Sequence, residues 1–173
     1  MEQTLYTVTV YSENHVGLLT QISNIFTRRF INIESLTVSA SAMRGVHKFT
    51  ITCYADHKMI EKLVKQIEKK IDVIKAYYYI DSEIISRELS LFKVSTEVLL
   101  NNNMIEGLVN KYNAKILEVN HLFTVIEKTG NQNEIQQLYD ELEPLGILQF
   151  VRSGHISITR STYEQLSDFL ANN

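Results

Sequence analysis

Apolar residues in this chain switch between period two and period 3.6 in the order strand, helix, strand, strand, helix, strand, and the order then repeats. Such a pattern leaves little choice of fold. One face of each helix must be buried, and each βαββαβ unit achieves this by laying both helices on one face of a four-stranded antiparallel sheet.

In the first half, Tyr6, Val8 and Val10 alternate as a strand, and Leu18, Leu19, Ile22, Ile25 and Phe26 share a helical face. Two strands are predicted over Ile33–Ala42 and Val46–Tyr54, turned at Met43-Arg44-Gly45. Asp56 can cap a helix carrying Ile60, Leu63, Val64, Ile67 and Ile71, and Val73–Ile80 closes the unit as a strand. The second half repeats this with a strand at Leu89–Ser95, a helix near Glu97–Tyr112 and strands at Ala114–Val119 and Leu122–Glu127. A helix over Asn133–Leu142, stopped at Pro144, and a strand over Ile147–Ile158 complete it. The expectation is an α+β chain of two tandem ferredoxin-like domains, 1–82 and 87–160, with a tail over 161–173 holding a short helix at Tyr163–Leu170. The sheet face away from the helices should remain open to partners.

At 173 residues, each half can support its own core. Cys53 is the one cysteine, so an internal disulfide or a C-x-x-C metal site is excluded, and its strand context makes it a small core residue. Residues 1 to 86 carry ten basic and nine acidic groups, and residues 87 to 173 carry seven and eleven; neither balance suits nucleic acid. Without a long apolar run or a basic, apolar leader, the chain is expected in the cytoplasm, with no membrane partner. No catalytic signature is present: H-E-x-x-H, a Walker loop and G-x-G-x-x-G are all missing, and the five histidines lack metal-ligand spacing. Catalytic and metal-binding residues are therefore expected to be none.

The stretch from Asn14 to Val38 offers binding chemistry instead. A polar loop with Gly17 enters a helix whose first N–H groups and dipole favour a carboxylate, and Gly17 lets a ligand approach closely. Asn32, expected to begin the second strand, can donate to a carboxylate or accept from an ammonium, as can Asn14. Each asparagine alone also reads as a cap or turn residue.

Asn14-His15-Val16-Gly17-Leu18-Leu19, Ile25-Phe26-Thr27-Arg28-Arg29 and Asn32-Ile33-Glu34-Ser35-Leu36-Thr37-Val38 resemble the ACT domain of acetolactate synthase small regulatory subunits. Ser86–Val94 and Arg152-Ser153-Gly154 are similar to that family's second domain. Gln21 stands where many members have Arg, Phe30 where most have Gly, and Ile31 where an aromatic is common. The resemblance implies a non-catalytic subunit that activates a large catalytic subunit and confers feedback inhibition by a branched-chain amino acid, usually valine. It implies no cofactor of its own, with thiamine diphosphate, Mg²⁺ and FAD confined to the catalytic partner. It also implies a homodimer in which Asn14, Gly17, Leu18 and Leu19 of one copy face Asn32 and Ile33 of the other, with Leu18 and Ile33 covering the effector side chain.

The alternative is a free-standing ACT-type sensor acting on another enzyme or a transcription factor. Acylphosphatase shares the element order, but its glycine-rich loop is missing here. RNA-recognition modules share it too, yet their aromatic strand motif is absent.

Overall fold

Each half folds as its apolar pattern requires. The structure, a computed structural model, describes residues 3–101, 103–162, 166 and 169. The chain divides into two units, Met1–Ser86 with His155–Asn173, and Arg87–Gly154.

In the first unit the elements are β1 (Thr4–Glu13), α1 (Leu18–Thr27), β2 (Ser35–Ala40), β3 (Val46–Ala55), α2 (His57–Ile67) and β4 (Val73–Tyr79). The sheet order is β2-β3-β1-β4, with every pairing antiparallel. Period-two residues Tyr6, Val8 and Val10 of β1 and Phe49, Ile51 and Cys53 of β3 point at the helices. Leu18, Ile22, Ile25 and Phe26 of α1 and Ile60, Leu63, Val64 and Ile67 of α2 meet them in one buried cluster. Burying each such side chain contributes about 1.5 to 3 kcal/mol before entropy is charged. Asp56 caps α2 by accepting from the Met59 N–H at 2.8 Å. Tyr78 packs on the core side, edge-on to Tyr6, while Tyr77 and Tyr79 take the opposite face, as alternation demands.

Several local expectations need correction. The second strand begins at Ser35 rather than at Ile33, because its first ladder contact is the Glu34 N–H donated to the Thr52 carbonyl at 2.8 Å. Its end falls at Ala40, where the Ser41 hydroxyl takes the Met43 N–H and starts the turn. Ile71 does not extend the α2 stripe; the helix stops at Ile67 and Ile71 is 97% exposed. The face away from the helices is not wholly open. Thr7, Thr9, Thr50 and Thr52 on it are buried, the Lys48 ammonium donates to the Ser157 carbonyl at 2.7 Å, and Lys75 lies 5.5 Å from the Phe169 ring.

The second unit contains most of β5 (Ile84–Ser95), then α3 (Thr96–Asn101), α4 (Asn103–Lys111), β6 (Lys115–Val119), β7 (Phe123–Gly130), α5 (Gln132–Leu142) and β8 (Ile147–Arg152). Its sheet runs β6-β7-β5-β8. Phe92, Val94, Ile126, Ile105, Leu108, Ile135, Leu138 and Leu142 form its core. Asn131 and Glu134 exchange side-chain and backbone hydrogen bonds at 2.9 Å, a capping box at the start of α5. The strand expected over Ile147–Ile158 is two strands, because Ser153–His155 leave the ladder. Ser153 donates its N–H to the Leu89 carbonyl, and β9 (Ile156–Thr159) then pairs with β5. From His155 onward the chain groups with the first unit rather than with the expected 87–160 domain. The helix expected at Tyr163–Leu170 lies largely outside the described residues, of which Leu166 and Phe169 are helical. Among the described residues no helix is long and apolar enough to cross a membrane.

Candidate effector site

The loop between β1 and α1 is built around two backbone features. The His15 N–H donates to the Glu13 carbonyl at 3.1 Å, turning the chain off the sheet, and Gly17 then takes φ 87° as the N-cap of α1. Only glycine enters that region without cost. As an N-cap it offers no side chain to the first turn, which also has no acidic residue. No side chain of that turn therefore offsets the positive end of the α1 dipole.

Asn14 is exposed beside this turn. Leu18 is 2% exposed and belongs to the core, so its side chain does not cover a ligand, and its N–H donates to the His15 carbonyl at 3.4 Å. Exposed apolar surface at the loop comes from Leu19 and from Val16, a residue that the sequence reading passed over. At the other end of α1, Phe30 takes φ 55° with its ring exposed, and Ile31 turns back into the core. Asn32 is exposed three residues ahead of β2, and its amide donates to the Glu34 carboxylate at 2.8 Å. Ile33 is partly buried against the core.

One chain does not bring these groups together. Asn14 and Gly17 stand at the start of α1 and Asn32 and Ile33 beyond its end, so ten helical residues separate them by about 15 Å. Within one chain these residues therefore form two separate groups, one at each end of α1.

The sequence spacing also hid a cluster at the loop. The His15 ring is 2.8 Å from Asp72 at Nδ1 and 3.5 Å from Glu13 at Nε2. The hydrogen bond to Asp72, then its charge, raise the His15 pKa above 6.5, with Glu13 adding a smaller push. Elsewhere in this unit, a cavity of about 280 Å³ on the face away from the helices is lined by Tyr11, Lys48, Tyr77, Tyr79 and Ser157, among others, but by none of the six expected residues.

Residues 87–161 match the family described as the small subunit of acetolactate synthase, and residues 8–75 match its small subunit-like ACT domain. The chain belongs to the acetolactate synthase small-subunit family. An acetolactate synthase small subunit of Mycobacterium bovis is 34% identical over 160 residues, covering 92% of this chain and 95% of that one. One from Bacillus subtilis is 32% identical over 161 residues, covering 92% and 93%. The crystal structure of the small subunit from Thermotoga maritima superposes with a TM-score of 0.83 at 27% identity, over 92% of this chain and 99% of that chain. The small-subunit resemblance and the α+β architecture of two βαββαβ-like halves are thereby established, and with them a regulatory place in branched-chain amino-acid biosynthesis.

Proposed function

We propose that this chain activates a thiamine-diphosphate-dependent acetolactate synthase large subunit in the cytoplasm and makes it sensitive to a branched-chain amino acid, valine first among them. The observation that carries the reading is the glycine-capped start of α1, whose first turn has no acidic residue, set beside Asn14 in a chain related over nearly its whole length to small subunits. Two copies pair so that Asn14, Gly17, Leu18 and Leu19 of one meet Asn32 and Ile33 of the other. The effector carboxylate accepts from the Gly17 N–H and from the Leu18 N–H, where it replaces the long 3.4 Å bond to the His15 carbonyl, and the asparagine amides hold its carboxylate and ammonium. Its side chain is covered by Val16, Leu19 and Ile33, since Leu18 is spent on the core. That burial supplies about 1.5 to 3 kcal/mol, while one methylene discriminates by only about 1 to 3 kcal/mol, so close homologues of valine compete. A ligand bridging two copies favours one arrangement of the dimer, and coupling on the order of 1 to 3 kcal/mol passes to the large subunit. The large-subunit contact falls on the second unit and its sheet edges. The chain needs no cofactor; thiamine diphosphate, Mg²⁺ and FAD belong to the catalytic subunit.

The test is acetolactate formation by the cognate large subunit, with and without this chain, across a valine titration. The rate should rise on adding the chain and fall again with valine. A rate indifferent to both overturns the assignment.

A further inference from the structure

We propose that His15 and Asp72 are positioning residues for the effector loop, holding Asn14 and Gly17 in their binding conformation most firmly when the imidazole is protonated. The inference rests on the effector-site reading above.

His15 sits between Asn14 and Gly17, so fixing its ring constrains the backbone on both sides. Its anchor, Asp72, lies 57 residues away in the turn ahead of β4. Asp72 is itself fixed, because its carbonyl accepts the Glu13 N–H at 2.9 Å. One residue thus holds the end of β1 through its backbone and the loop through its carboxylate.

The charged groups facing the ring are Glu13 from β1 and Asp72. As imidazolium, His15 donates from both nitrogens, to Asp72 at Nδ1 and toward Glu13 at Nε2. As neutral imidazole it can keep only one of these donors, and a lone pair then faces a carboxylate. The folded pKa is raised above the ordinary 6.5, so the full arrangement is present below 6.5 and is lost as pH rises through the raised value. The ring is more than half exposed, so solvent screens the pair and the effect on affinity is roughly two- to fivefold.

The test titrates L-valine calorimetrically into the full-length chain from about pH 6 to about pH 9, in wild type, His15→Gln and Asp72→Asn. Wild-type Kd should rise roughly two- to fivefold with pH, while His15→Gln is weak and flat. A variant with wild-type affinity and slope overturns the proposal. Absence of any branched-chain amino-acid binding by wild type would instead defeat the effector-site reading. The loop is then followed by NMR: the Val16 and Gly17 amides should shift with the His15 midpoint, and Asp72→Asn should lower that midpoint. Amides that ignore the His15 titration overturn the proposal independently of any ligand.

Discussion

Replacing Phe30 with glycine should stabilise the chain. Phe30 follows α1 at φ 55°, where its N–H donates to the Thr27 carbonyl at 3.0 Å and the next N–H, of Ile31, reaches back to Phe26 at 3.1 Å. This helix ending favours glycine, because a Cβ in the left-handed region costs about 1 to 2 kcal/mol. The ring returns nothing for that cost within the chain, since it is 98% exposed. Glycine's extra freedom when unfolded gives back about 0.4 to 1 kcal/mol, which leaves a net gain near 0.8 kcal/mol, or roughly 2 to 3 °C in Tm for a chain of this size. Urea unfolding followed by circular dichroism measures it, run at two protein concentrations so that any association is visible. Phe30→Ala serves as the control: it removes the ring but keeps the Cβ, and should show no comparable gain. A lower midpoint for Phe30→Gly would refute the reasoning, as would equal gains for glycine and alanine.

Gly17→Asp should abolish valine inhibition and leave activation intact, read in the same acetolactate assay. A Cβ there meets open space but is strained at φ 87°, so Gly17→Ala is the control: the loss specific to Asp comes from a carboxylate set against the effector's own. Cys53, fully buried, has its thiol pushed up to about 12 by burial, from 9.0. The folded chain therefore keeps a proton that the unfolded chain releases, so stability is full below pH 9 and declines between there and about 12. Cys53→Ala should flatten part of that decline in pH-dependent urea titrations, and the native thiol should resist labelling until urea is added. Asn131→Ala should cost about 1 kcal/mol by removing the α5 capping box, seen as a lower unfolding midpoint at unchanged m-value.

The element order was legible because hydrophobic period is a local property. Tyr6, Val8 and Val10 announce a strand, and Ile60, Leu63, Val64 and Ile67 a helix, wherever the rest of the chain goes. Errors collected where local preference is outvoted. Ile71 fits the α2 stripe by spacing, but a turn carries it into solvent. Ile147–Ile158 reads as one strand, but the bonds joining Ser153 to Leu89 divide it. At the site, Asn14, Gly17 and Asn32 stood out by residue type, whereas the separate roles of Leu18 and Leu19 depended on which side of α1 faces the sheet.

By itself, then, the sequence determined the βαββαβ order, the glycine entrance of α1 and the small-subunit kinship, since these rest on residue type and short-range periodicity. Tertiary structure decided that Leu18 is core, that Asp72 anchors His15 and that the C-terminal strand returns to the first unit. Those outcomes depend on contacts between residues far apart in the chain, where many pairings are compatible with the same local pattern and packing selects among them.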